Sequence, residues 1–109
     1  MKIVFTKWMR KNTRGKAFWP FVFVKKGLSQ VEMITVINHE TTHIKQQQEM
    51  LVVFAIVWYW TEMIARLLIY KLNYKKAYDL HSMEREAREN QEDITYNVRR
   101  APYSFILYL

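Results

Sequence analysis

The chain has 109 residues, half of them hydrophobic and a quarter charged, which is enough for a single domain, residues 1–109. It has no cysteine, which excludes disulfides and thiolate metal sites and favours a reducing compartment. Seventeen Lys and Arg against ten Asp and Glu give a net charge of +7, and residues 1–30 hold eight of these bases and no acid. The N-terminal segment is therefore suited to anionic lipid or an acidic partner. Nucleic acid is disfavoured because no RNA-binding signature or Gly-rich phosphate loop is present.

Two strands are predicted near the N-terminus, at residues 2–5 and 17–24. A basic turn at residues 11–16 separates them, so the pair is expected to form a β-hairpin. Pro20 cannot donate to a strand ladder, which confines the second strand to a sheet edge. The first sixteen residues lack the apolar core of a signal peptide, which favours a cytoplasmic protein.

A long helix is predicted over residues 29–50. Ser29 and Glu32 have the spacing of a capping box at its start. No Gly or Pro interrupts the chain from Leu28 to Tyr70. Apolar residues recur along the helix at roughly helical spacing, at Val31, Ile34, Ile37 and Ile44.

The middle of this helix carries a metal-binding pattern, His39-Glu40-Thr41-Thr42-His43, which uses two of the chain's three histidines. Residues four apart share a helix face, so His39 and His43 can bind one tetrahedral Zn²⁺. Glu40 is then placed to take a proton from a water on that metal. The competing interpretation is a chance match on a polar helix. A third ligand on a later element would decide between them.

The segment at residues 51–70 begins with ten uninterrupted apolar residues that end in the aromatics Trp58, Tyr59 and Trp60. Glu62 and Arg66 follow at a spacing that lets them pair on a helix. A buried core helix and a membrane-spanning helix both agree with the first half. We expect a helix that packs under the histidine helix and presents an apolar, aromatic face to a membrane or another subunit.

A further helix is predicted over residues 82–90, with Ser82 as its cap. Glu84 and Glu86 lie two apart and cannot face the same way, so one could bind metal while the other meets solvent or a partner. The alternative is a solvated charged helix with Glu/Arg pairs. His81, at the start of this helix, is more typical of a surface residue than of a ligand.

Other polar residues could support such a site. Asp79 could orient a histidine through a hydrogen bond. Three tyrosines are candidate donors to the oxyanion of a tetrahedral intermediate, although packing is the commoner role for each: Tyr74, Tyr78 and Tyr96.

The pattern resembles the gluzincin class of zinc metallopeptidases, in which a Glu on a later helix completes the ligands of H-E-x-x-H. That Glu often occurs as E-x-x-A, which residues 84–87 match. The run H-E-x-x-H-x-x-Q-Q at residues 39–47 is also similar to small zincin-like domains.

The resemblance implies His39, His43 and Glu84 as Zn²⁺ ligands, with Glu86 as the alternative, and Glu40 as general base. It also implies that an extended peptide lies along an edge strand beside the active helix. Arg88 stands where many relatives have Asp, so the partners of the histidines are unassigned.

Taken together, these features predict a mainly helical α+β domain, an N-terminal β-hairpin plus three to four helices forming a minimal zincin-like core. The expected function is a zinc-dependent hydrolase, most simply a peptidase acting on a peptide or protein near the inner face of a membrane. The alternative is a non-catalytic basic domain that binds a membrane or partner, with structural zinc or none. Oligomeric state is left open by the sequence.

Overall fold

The computed structural model describes residues 1–9 and 13–109 of the chain. It confirms a mainly helical α+β fold with a small N-terminal sheet. In chain order, the elements are β1 (Lys2–Thr6), β2 (Gly15–Phe18), β3 (Phe21–Lys25), α1 (Gln30–Glu49), α2 (Val53–Ile69), α3 (Tyr74–Leu80), α4 (Ser82–Asn90), α5 (Tyr96–Arg99) and a closing 3₁₀ helix, η1 (Ser104–Tyr108).

The sheet has the order β1-β3-β2, and its pairing differs from the predicted one. The hairpin is β2 with β3, which pair antiparallel around Trp19 and Pro20, while β1 pairs parallel to β3. The predicted strand at residues 17–24 is thus two strands, because Pro20 has no N–H for a ladder and the chain turns there. Of the predicted basic turn at residues 11–16, residues 11 and 12 lie outside the described part of the chain, and Gly15 and Lys16 belong to β2.

Helix α1 begins as predicted. Ser29 is its N-cap, and both hydrogen bonds of the capping box with Glu32 are present. The predicted apolar stripe is partly wrong, however, because Val31 and Ile34 are exposed while Ile44 is buried. The reason is that the side of α1 that packs against β3 is the buried one, and Ile44 lies on that side, in contact with Val22 and Val24 of the strand.

Helix α2 follows α1 after a sharp turn, and the two helix axes are bent by 111°. Its inner side packs through Ala55 onto Met83 of α4 and Phe105 of η1, which form a second core cluster. The predicted pair of Glu62 and Arg66 is confirmed at 2.8 Å. In the described chain, no single helix is long and apolar enough to cross a membrane; α1 and α2 pass that test only as a bent pair, by length and composition.

Candidate metal centre

Helices α1 and α4 pack together and bring three ligand atoms to one point. The Nε2 atoms of His39 and His43 are 3.3 Å apart, and the Glu84 Oε2 atom lies 3.5 Å from the first and 3.3 Å from the second. A tetrahedral Zn²⁺ with bonds of about 2.0 to 2.1 Å holds its ligand atoms about 3.3 to 3.4 Å apart. The three atoms therefore have the spacing of one face of a zinc tetrahedron, and they could hold a metal ion.

The position of Glu84 follows from how α4 meets α1. Ala87, one turn after Glu84, is fully buried, and a small residue there lets the helices approach closely. The Gln46 side chain of α1 donates to the Met83 carbonyl across the same contact, at 3.1 Å. The structure thus brings Glu84, and neither Glu86 nor His81, to the two histidines.

Glu86 faces away from the histidines, as the helical geometry predicts, but it meets neither solvent nor an external partner. It is fully buried and accepts hydrogen bonds from Gln46, Tyr96 and Arg100. Arg100 also pairs with Glu49 at 2.9 Å. Burial alone would raise the pKa of Glu86, but these hydrogen bonds hold it below its usual range. Tyr96 is therefore committed to Glu86 and is not placed to donate at the metal centre.

Each histidine is oriented by a glutamine. The Nδ1 atom of His39 lies 2.6 Å from Gln91 Oε1, and that of His43 lies 2.8 Å from Gln46 Oε1. A carbonyl oxygen beside Nδ1 accepts a hydrogen bond from the Nδ1–H group, which leaves Nε2 unprotonated and free for a metal. The H-x-x-Q spacing was a signal for Gln46 that could have been used, since residues three apart on a helix are neighbours. Nothing in the sequence pointed to Gln91, which follows the end of α4.

The expectation for Asp79 is not met. Its carboxylate pairs with Lys75 at 2.8 Å and with Arg88 at 3.9 Å, and both histidine Nδ1 atoms are already partnered by glutamines. Because α3 is a separate short helix before α4, Asp79 lies on the surface beside Arg88.

The charges of the three ligands are coupled. Burial lowers the pKa of His43, but the adjacent Glu84 carboxylate outweighs it and raises the pKa to about 10. Burial likewise raises the pKa of Glu84, and the two histidines more than reverse this and hold the pKa far below its usual range. The His43 imidazole and the Glu84 carboxylate thus each favour the charged form of the other.

Glu40 and His39 line one cleft of about 460 Å³, together with Tyr78, Gln91 and Gly15. Burial raises the pKa of Glu40 despite the nearby histidines. No hydrogen bond among the described residues involves its carboxylate, and the 8% of Glu40 that is exposed lies where the residue lines the cleft. The carboxylate is placed to accept a proton.

Strand β2 forms one wall of the cleft and passes very close to α1. A Cβ atom on Gly15 would come within 2.6 Å of Val36 Cγ1 and 3.1 Å of Glu40 Cγ, so only glycine fits there. The side chain of Gln47 fastens the far end of the strand, accepting from the Trp19 N–H at 2.7 Å and donating to the Ala17 carbonyl at 2.9 Å. This glutamine holds the strand against α1.

Two tyrosines interact with the Glu84 carboxylate. Burial and that carboxylate raise the pKa of both Tyr78 and Tyr59, so both keep their hydroxyl protons at neutral pH. Of the tyrosines considered in the sequence analysis, Tyr78 lines the cleft, and Tyr74 stacks on it. Tyr59 was considered only as part of the aromatic run in α2.

His81 is fully buried, so its expected surface position is wrong. Its Nε2 donates to the Tyr59 carbonyl at 2.9 Å, and its Nδ1 accepts from the Met83 N–H at 3.2 Å. His81, rather than Ser82, is therefore the N-cap of α4. Ser82 is held instead by Glu62, whose carboxylate accepts from the Ser82 backbone N–H at 2.7 Å.

Comparisons of the chain with protein-family models, with curated proteins and with solved structures found no match.

Proposed function

We propose that this protein is a minimal gluzincin-like zinc metallohydrolase, a peptidase in which His39, His43 and Glu84 hold Zn²⁺. The observation that carries the proposal is the triangle of three ligand atoms, with edges of 3.3 to 3.5 Å, beside an unpartnered glutamate in an open cleft. A structural zinc site is normally closed by four protein ligands. The cluster in the described part of the chain has three, which favours a catalytic site over the non-catalytic alternative.

Zinc in this position would activate water and polarise a carbonyl oxygen. Glu40 takes the proton of the attacking water and passes it to the leaving amine. Its raised pKa suits both steps, because a carboxyl group of ordinary acidity is a weaker base. Tyr78 keeps its proton and donates to the oxygen that gains negative charge. Gln46 and Gln91 keep the imidazoles in the tautomer that binds metal.

The substrate lies along β2 in this proposal. That strand is at the edge of the sheet and, among the described residues, pairs only with β3. Its first residue, Gly15, lines the cleft beside Glu40. An extended peptide can add to such an edge through main-chain hydrogen bonds. Gln47 already occupies the Ala17 carbonyl, so pairing is expected at the Gly15 end.

Substitution of Glu40 by Gln tests the proposal. The purified protein should contain one zinc per chain and cleave members of a random peptide mixture, followed by mass spectrometry. Glu40→Gln should keep the zinc and the fold but lower kcat by at least about 100-fold, since the amide cannot act as a base. The matched control is Glu89→Gln, which removes one carboxylate from the exposed side of α4 and should leave kcat unchanged.

Two results would count against the proposal. A wild-type protein without zinc, and without zinc uptake on dialysis against the metal, would remove the site. A zinc-loaded protein that leaves every peptide intact would favour the non-catalytic alternative, in which the metal only joins α1 to α4.

A further inference from the structure

The outward side of α2 is apolar along its whole length. The large side chains there are at least half exposed, with Leu68 at 72% and Val53 at 67%. The polar group on this side, the Thr61 hydroxyl, donates to the Val57 carbonyl of its own helix at 2.7 Å. We call this surface the α2 face; its members are Val53, Phe54, Val57, Trp60, Ile64 and Leu68.

The charges of α2 lie on the opposite side, against the protein. Glu62 and Arg66 are mostly buried and paired, and Glu62 also accepts from the Ser82 N–H of α4. A surface helix in water normally has its apolar side inward and its charges outward. Helix α2 instead has apolar residues on both sides, with Ala55 and Met63 buried inward, and its charges face the protein. An apolar outer side of this kind is typical of a helix that is covered by something apolar.

Charge indicates what covers it. The chain leaves α2 through exposed lysines, Lys71, Lys75 and Lys76, of which Lys75 pairs with the adjacent Asp79. An apolar helix face with flanking lysines has the features of a helix that lies in the interface of an anionic bilayer.

We propose that the α2 face docks this protein onto an anionic lipid bilayer, with the helix lying in the plane of the interface. The apolar side chains enter the boundary of the acyl chains, Trp60 lies at the level of the headgroups, and the lysines meet lipid phosphate. Docking depends on neither zinc nor catalysis.

One consequence rests on the proposed function. Tyr59, on the inner side of α2, stacks on His81 with ring centres 4.2 Å apart and interacts with Glu84. The metal ligands are therefore separated from the lipid by about one helix diameter, 10 to 12 Å. The substrate would be a peptide segment close to the membrane surface.

Flotation of the full-length protein with vesicles, in detergent-free buffer, tests the docking. One set of vesicles is phosphatidylcholine, and the other is phosphatidylcholine mixed with phosphatidylglycerol. Wild type should float with the mixed vesicles, and high salt should weaken this binding without abolishing it. Val57→Gln/Leu68→Gln should lower the partition coefficient at least about tenfold, because two apolar side chains no longer favour the lipid. The matched control, Ile94→Gln/Val98→Gln, changes two apolar residues outside α2 that are more exposed on average, and it should bind as wild type.

Fluorescence gives a second measurement that needs no polar substitution. Lipids with brominated acyl chains should quench the wild-type tryptophan emission. Trp60→Phe should reduce that quenching, while Trp8→Phe, which alters an exposed tryptophan away from α2, should retain it. Glu40→Gln should bind vesicles as wild type does, so a failure of catalysis and a failure of docking give different results.

Three outcomes would overturn docking. The first is a wild-type protein that floats with neither kind of vesicle. The second is equal loss of binding in the α2 variant and in its control. The third is a wild-type dimer, seen by light scattering, that Val57→Gln/Leu68→Gln converts to monomers without any vesicle binding, which would make a second copy the partner.

Discussion

Two regions of this protein have the opposite of the polarity that their location would suggest. The contact between α1 and α4, which we call the α1–α4 seam, is buried and polar: it holds His39, His43, Glu84, Glu86 and Gln46. The α2 face is exposed and apolar. A soluble domain of this size normally buries its apolar residues and exposes its charges.

The comparison shows what each region needs in order to be stable. A buried polar group is costly unless it is hydrogen-bonded, and every fully buried side-chain nitrogen and oxygen in the described residues has a partner. The polar side chains of the seam are stabilised by a network of hydrogen bonds and ion pairs with one another. The same packing brings three possible ligand atoms together. The α2 face cannot be stabilised by hydrogen bonds in this way, because exposed apolar groups gain free energy only when they are removed from water. The partners that we propose for the two regions, a metal ion and a bilayer, differ for this reason.

The sharpest way to break this comparison is to alter the two glutamates of the seam separately. Glu84→Gln should weaken zinc binding by at least about 100-fold, the upper end of what changes to groups behind the ligands cost, and should abolish the rise of Tm with zinc. Glu86→Gln should keep zinc but lower the free energy of unfolding by about 3 to 5 kcal/mol, since it breaks a buried pair with Arg100. Zinc titrations and urea unfolding measure the two effects.

The opposite result is as informative. Loss of the zinc response in Glu86→Gln alone would place the metal two residues along α4. If neither variant alters zinc binding, the third ligand is not on this helix.

A smaller effect is expected from the glutamine that orients His39. Gln91→Leu should weaken zinc binding by about 10- to 100-fold, because the imidazole loses the acceptor that fixes its tautomer. The control is Asp79→Asn, which alters a partly exposed carboxylate paired with Lys75 and Arg88 and should leave zinc affinity unchanged. Equal affinities for wild type and Gln91→Leu would show that the 2.6 Å contact with His39 does not orient the metal ligand.

The smallest effect concerns the junction of the two regions, where His81 lies between α2 and α4. Burial lowers the pKa of His81 although Glu62 and Glu84 favour its charge. The unfolded chain therefore binds a proton at this residue near pH 6.5 that the folded chain takes up only at lower pH. The contribution of His81 to the free energy of unfolding should be fully present above about pH 6.5. It should fall as the pH drops from there to the lowered pKa, by at most about 1.4 kcal/mol per pH unit.

Replacement of the imidazole isolates this contribution. With a chelator present throughout, His81→Gln should show a flatter dependence of unfolding free energy on pH than wild type between about pH 7 and 5. Parallel curves for the two proteins would mean that His81 does not take part in the acid sensitivity.

Local patterns in the sequence predicted local structure well. The capping box at Ser29, the helical placement of His39 and His43 one turn apart, and the pair of Glu62 with Arg66 were all predicted and are confirmed. The opposite directions of Glu84 and Glu86 followed from two residues of helical rotation. These features depend on residues within four positions of each other, where the geometry of the helix fixes what meets what.

Patterns that depend on distant partners were predicted less well. The hairpin was assigned to the wrong pair of strands, because a strand's alternation does not say which neighbour it joins. Ser82 was expected to be the cap of α4, yet His81 has that role because Tyr59, from a different helix, holds its ring. Asp79 was a candidate for orienting a histidine, whereas its place on α3 puts it at the surface.

The sequence by itself determined that the imidazoles of His39 and His43 lie one turn apart on a helix, with the Glu40 carboxylate beside them. A spacing of four residues places two side chains on the same face of any α-helix. The sequence also determined that residues 51–60 are apolar. Only the tertiary structure decided that α4 returns to α1 with Glu84 inward, that Gln91 reaches His39, and that α2 turns its charges toward the protein and its apolar side outward. Those outcomes depend on how several helices and a small sheet share one core, and packing between distant segments is not encoded in the period of any single one.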